Sequence, residues 1–167
     1  MQILTRDYLV EGQLHSRIDD ADYFNGLLQL FKYGTQHSTL TLSLLNAQVR
    51  PASNLTAPAR AFAEYTLTLG PTVIAIVPKD ADSQSSLHKA LDDYKHPFPA
   101  VLYAGCYQVQ ATVLANSPLG WSNMDSFQPL ADAQIDCLLP GAKLTNWQVP
   151  WLLLNGETVQ GDGRGSA

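Results

Sequence analysis

The chain has 167 residues, 46 % of them apolar, with ten Lys and Arg against fifteen Asp and Glu for a net charge of −5. That much apolar material supports a core and excludes intrinsic disorder, and the lack of any long charged or Gly-periodic pattern excludes coiled coil and collagen. Only 15 % of residues are charged, and the basic ones stand singly, so no run of phosphates would be neutralised; neither nucleic acid nor a membrane surface is an expected partner.

The elements follow in chain order. Leu4, Tyr8, Val10 and Leu14 alternate with Thr5, Asp7, Glu11, Gln13 and His15, and this period of two predicts a half-buried strand. Asp19, Asp20 and Asp22 then provide caps for a helix carrying Tyr23, Phe24, Leu27, Leu28 and Phe31, with Gly34 as its stop. Strands are expected near residues 40–50 and 65–77, and Pro58 is expected to open a short helix carrying Phe62. Ser83 caps a predicted linker helix whose Leu87, Ala90, Leu91 and Tyr94 share one stripe and which Pro97 and Pro99 end. The period of two returns at Val101, Tyr103, Tyr107, Val109 and Val113. A loop is expected over 116–126, with strands near 127–138 and 148–154.

These elements repeat. Residues 8–14 align with 107–113 at an offset of 99, residues 44–49 with 130–135 at 86, and residues 66–75 with 145–154 at 79, in the same order. The predicted fold is therefore α+β, mainly β: two tandem repeats of a small antiparallel β unit, barrel-like or sharing one sheet, with two or three short helices. The first repeat spans 1–78, a linker helix 79–99 and the second repeat 100–160; residues 161–167 have nothing to bury and read as a flexible tail. Apolar stretches such as Val73 to Val77 and Trp151 to Leu154 are too short to cross a bilayer, and no basic-then-apolar leader is visible, so a soluble, cytoplasmic protein is expected.

Motifs that advertise chemistry are missing. There is no G-x-S-x-G elbow, no phosphate-binding or dinucleotide-binding glycine loop and no H-E-x-x-H, so no catalytic residue, metal ligand or cofactor is expected. The densest polar group is His15, Asp19, Asp20 and Asp22, a candidate ligand or cation cluster whose spacing differs from the calcium loop and which also suits an acidic helix start. Cys106 and Cys137 lack metal spacing and read as buried free thiols. Charge is unevenly spread: from His96 to Met124 no Asp, Glu, Lys or Arg occurs, and all three tryptophans, Trp121, Trp147 and Trp151, lie beyond residue 99. Aromatic, charge-poor surface marks interface cores, which makes these three candidate interface residues; small-barrel core is the other reading.

The run Phe127-Gln128-Pro129-Leu130-Ala131-Asp132-Ala133-Gln134-Ile135, followed by Val149-Pro150-Trp151-Leu152-Leu153-Leu154-Asn155, resembles a pattern in small uncharacterised bacterial domains, over about 30 residues per copy; it implies no activity. Gly12-Gln13-Leu14 with Asp20 and Asn25 is similar to Sm-like barrels, although the spacing after Leu14 is longer than in that motif, and the acidic balance opposes the RNA-binding role that the resemblance implies. The expected function is a non-catalytic interaction or regulatory module that self-associates or docks a protein. The alternative is a small-molecule binder or unusual enzyme with a pocket between the repeats.

Overall fold

Alternation of apolar and polar side chains makes strands, and strands make up nearly all of the secondary structure in the computed structural model, which describes residues 1–15, 41–68, 70–79, 94–115 and 127–164. The first five are β1 (Gln2–Thr5), β2 (Tyr8–Leu14), β3 (Thr41–Pro51), β4 (Arg60–Thr68) and β5 (Val73–Val77). The second five are β6 (Phe98–Ala104), β7 (Tyr107–Val113), β8 (Phe127–Cys137), β9 (Trp147–Asn155) and β10 (Val159–Arg164), with one 3-10 turn at Gly156–Thr158. All pairings are antiparallel, in one ten-stranded sheet of order β10-β6-β7-β8-β9-β5-β1-β2-β3-β4.

The α+β expectation is therefore corrected: the described residues form an all-β sheet with no α-helix. The short helix expected at Pro58 is absent, because Phe62 sits in β4, where Phe62, Tyr65 and Leu67 are half-buried while Ala63, Glu64 and Thr66 are exposed. The helix expected over 19–34, almost all of the linker helix and the loop at 116–126 lie outside the described residues. Each single strand expected at the start of a copy is a tight hairpin, turning at Arg6-Asp7 and at Gly105-Cys106, where Gly105 takes a φ of 59°. The last residues also differ from expectation: Gly161–Arg164 pair with β6 as the second half of β10.

The order of the sheet falls into two five-stranded units with one connectivity: β5-β1-β2-β3-β4, and β10-β6-β7-β8-β9. The registers correspond in detail. Thr5↔Val73, Leu4↔Ala75 and Ile3↔Ile76 recur as Ala104↔Val159, Tyr103↔Gly161 and Leu102↔Asp162, with the same single-residue irregularity at Ile74 and at Gln160. Glu11↔Gln48 followed by Gln13↔Leu45 recurs as Gln110↔Gln134 followed by Thr112↔Ala131. In each unit this leaves one residue opposed by two, a β-bulge, and the extra residue is left-handed: Asn46 at φ 51° and its counterpart Asp132 at φ 49°. Backbone bonds recur too. Arg6 N–H to Thr72 O and Ala52 N–H to Asp7 O in the first unit match Gly105 N–H to Thr158 O and Leu138 N–H to Cys106 O in the second.

One part of the sequence alignment changes. β4 corresponds to β9 at an offset of 87, since Thr66 faces Ser43 as Leu153 faces Pro129, and β5 corresponds to β10 at 86. Pro71 and Pro150 are not counterparts; the earlier offset of 79 arose from matching two proline-plus-apolar runs that belong to different strands.

Candidate functional site

The two units meet where β5 of the first pairs with β9 of the second, Ala75 opposite Leu154 and Ile76 opposite Leu153. Two rungs make a short ladder, so side chains hold the joint. All five residues of β5 are buried, as are Trp151, Leu152, Leu153, Leu154 and Asn155 of β9. A strand buried on both faces needs an unbroken apolar run rather than alternation, and Val73–Val77 and Trp151–Leu154 are such runs. Successive β9 side chains divide between two cores, both shared by the units: Trp151 and Leu153 join the one holding Ile3, Val10, Leu44 and Ile76, while Leu152 and Leu154 join the one holding Leu102, Val109 and Leu130 with Leu4 and Ile74.

Polar groups lock the same place. Asn155, 1 % exposed, donates through Nδ2 to the Val73 carbonyl at 2.9 Å and the Gly70 carbonyl at 3.3 Å, and its Oδ1 accepts from Glu157 N–H at 3.2 Å. Tyr107, 1 % exposed, reaches across to the β1–β2 turn, its hydroxyl lying 3.2 Å from the Arg6 carbonyl and 3.3 Å from the Thr5 carbonyl. Burial first, then the nearby Cys106 and Cys137 sulfurs, pushes its phenol well above the usual tyrosine range, so it stays a donor at any physiological pH. Lys143 N–H completes the contact by donating to Ser53 O at 2.7 Å.

Each end of the sheet carries the counterpart of one half of this joint. Among the described residues β4 pairs only with β3, and β10 only with β6; β4 is the counterpart of β9, and β10 of β5. The counterpart of the clamping Tyr107 is Tyr8, which is 51 % exposed. The end strands are more polar than the joined pair: Glu64 and Thr66 stand where β9 has Trp151 and Leu153, and Gly161 and Gly163 where β5 has Ala75 and Val77.

The residues singled out from sequence are dispersed. Trp151 is fully buried in the joint, Trp147 is half-buried against the second unit's core, and Trp121 lies outside the described residues. His15 is exposed just after β2, its N–H bonded to Ser43 O, whereas Asp19, Asp20 and Asp22, like Asn25, lie outside the described residues. Among the described residues no group of three or more His, Cys, Asp or Glu is placed to hold a metal ion, and no helix is long and apolar enough to cross a membrane. Cys106 and Cys137 are free thiols; burial first, then Cys137, raises the Cys106 thiol above its ordinary value. Two grooves, of about 400 Å3 and 310 Å3, adjoin the Asp132 bulge and share Asp132 and Gln134, so they lie on the second unit rather than between the units. Sequence reasoning missed Asn155, Tyr107 and the pairing of β5 with β9. The paired apolar runs were the available signal.

No family model matches the chain, and no curated protein or solved structure matches it.

Proposed function

We propose that this protein is a non-catalytic interaction module that associates with itself through the ends of its sheet. One observation carries the reading: the two end strands, β4 and β10, are the counterparts of β9 and β5, the two strands already joined inside the chain. An end strand presents unpaired N–H and C=O groups and is a template for a further strand unless it is blocked. The internal joint gives a worked example of what such a strand pairs with in this fold. The small-molecule alternative finds less support, because the place between the units is filled by Trp151, Leu153 and Ile76.

The polar character of β4 and β10 predicts a weak, reversible contact. Sedimentation velocity over about 1 μM to 1 mM chain, the range in which contacts worth about 4–8 kcal/mol titrate, tests the reading. A weight-average sedimentation coefficient that climbs with concentration is expected; a single monomeric boundary across the range refutes it.

A further inference from the structure

We infer that the partner of β4 is β10 of a second copy of this chain, docked in the register of the internal joint so that copies join head to tail. The inference rests on the self-association reading and adds its geometry. Carrying the two rungs of the joint, Ala75↔Leu154 and Ile76↔Leu153, to their counterparts places Gly161 of one chain opposite Leu67 of the next, and the following residue, 162, opposite Thr66. Continuing the same antiparallel register puts Gly163 opposite Tyr65 and Arg164 opposite Glu64. Directly opposed side chains of opposite charge stabilise an antiparallel pair, and the glycines let the neighbouring backbone approach. Glu64 is exposed within one chain, so its carboxylate is open to a partner.

A second correspondence comes from outside the ladder. In the joint, Tyr107 of the unit that contributes β9 donates to the Thr5 and Arg6 carbonyls of the unit that contributes β5. In the intermolecular contact the same roles fall to Tyr8 of the chain contributing β4 and to the Ala104 and Gly105 carbonyls of the chain contributing β10. Tyr8 is the most exposed aromatic side chain among the described residues, and this contact gives its hydroxyl carbonyl acceptors. Thr68, counterpart of Asn155, likewise retains a hydroxyl donor where the joint uses an amide.

Because the two halves of the contact are different strands, it is heterologous: every copy offers one β4 and one β10, and copies add until the rotation closes a ring or runs on as a filament. The missing counterparts of Trp151 and Leu153 make it weaker than the joint, so the chain folds first and assembles second.

Charge reversal and cross-linking test the register, with circular dichroism and urea midpoints confirming that each variant is folded. Glu64→Arg and Arg164→Glu are each expected to weaken wild-type association at least tenfold by sedimentation, and the double variant Glu64→Arg/Arg164→Glu to restore it. Leu67→Cys mixed with Gly161→Cys is expected to give a disulfide linking residue 67 to residue 161, found by peptide mass mapping, that neither variant forms alone. If the wild type associates but the double variant stays dissociated, or the mixture yields no such link, the head-to-tail register is overturned while self-association stands. If the wild type is monomeric throughout, both fall together.

Discussion

Replacing Asn155 by alanine isolates the polar lock of the joint. The substitution removes the Nδ2 donors from Val73 O and Gly70 O and the Oδ1 acceptor from Glu157 N–H, at a residue 1 % exposed. The Val73 bond is buried and water cannot replace it, so its loss costs both the bond and the desolvation of an orphaned carbonyl; the Gly70 bond is partly open and counts for less. Together they give a loss of about 2–3 kcal/mol, which in a chain of this length lowers the melting temperature by about 5–10 °C. Urea titration followed by tryptophan fluorescence is the suitable assay, because Trp151 packs in the joint. Thr68→Ala, at the counterpart position on the exposed end strand, is the control and should fall within about 0.5 kcal/mol of wild type. If Asn155→Ala also falls within about 0.5 kcal/mol, or Thr68→Ala costs as much, the joint is not held in the way described. Asn155→Asp adds a sign test: a carboxylate facing two carbonyls is worse than alanine at neutral pH, and the deficit shrinks in acid as the group protonates and regains a donor.

Three further outcomes follow from the same geometry. Tyr107→Phe removes only a hydroxyl and should cost about 1 kcal/mol in urea midpoint analysis, whereas Tyr8→Phe should leave the monomer unchanged and weaken only self-association; equal effects on stability would contradict the difference in burial. Gly12→Ala should destabilise by about 1–3 kcal/mol, because the new Cβ would lie 3.0 Å from Leu44 Cβ and 3.0 Å from Leu45 O at the bulge, and a thermal melt superimposable on wild type would refute that crowding. Partial burial raises the Glu11 carboxyl, but hydrogen bonds from Lys79, at 2.6 Å, and Gln2, with the charges of Lys79 and Arg50, outweigh it and hold the group below its ordinary value. Its contribution is therefore full above the ordinary carboxylate range and is lost as pH falls through the depressed value; the stability gap between wild type and Glu11→Gln should shrink in acid, and a gap that widens would reverse the sign.

The strands were legible because burial on one face imposes a period of two, and β3, β8 and β9 lie within a residue or so of their expected limits. The hairpins were not. Arg6-Asp7 and Gly105-Cys106 are two-residue turns, and a turn that consumes two residues keeps the alternation in phase across it, so one strand and two read alike. The prediction at Pro58 failed because a proline that can open a helix equally suits the coil before a strand, and Phe62 is half-buried in β4, which runs in unbroken register against β3. The candidate site was half legible. Trp151, offered as an interface residue or as core, is fully buried in a core it shares with the first unit of its own chain. What located the joint was the uninterrupted apolar character of Val73–Val77 and Trp151–Leu154, which first suggested only a span too short for a membrane.

The two units keep one backbone and differ most where they meet or fail to meet another unit. Bulge, turn and register survive at the counterparts, and Asn46 and Asp132, each followed by Ala-Gln, hold the same left-handed conformation. At the joint strands the side chains have diverged in one direction: Trp151 against Glu64, Leu153 against Thr66 and Ala75 against Gly161. Polarity and glycine on an end strand reduce indiscriminate edge pairing, while apolar residues on both faces make an inner contact permanent. One scaffold contact thus exists in two strengths within the same chain. Restoring apolar residues at the end should convert the weak form toward the strong one: Glu64→Trp with Thr66→Leu would raise self-association if β4 meets a partner as β9 does, and would yield disordered aggregates if β4 is only a blocked edge. Sedimentation of that double variant, with Arg164→Glu superimposed to ask whether β10 remains the partner, separates the two.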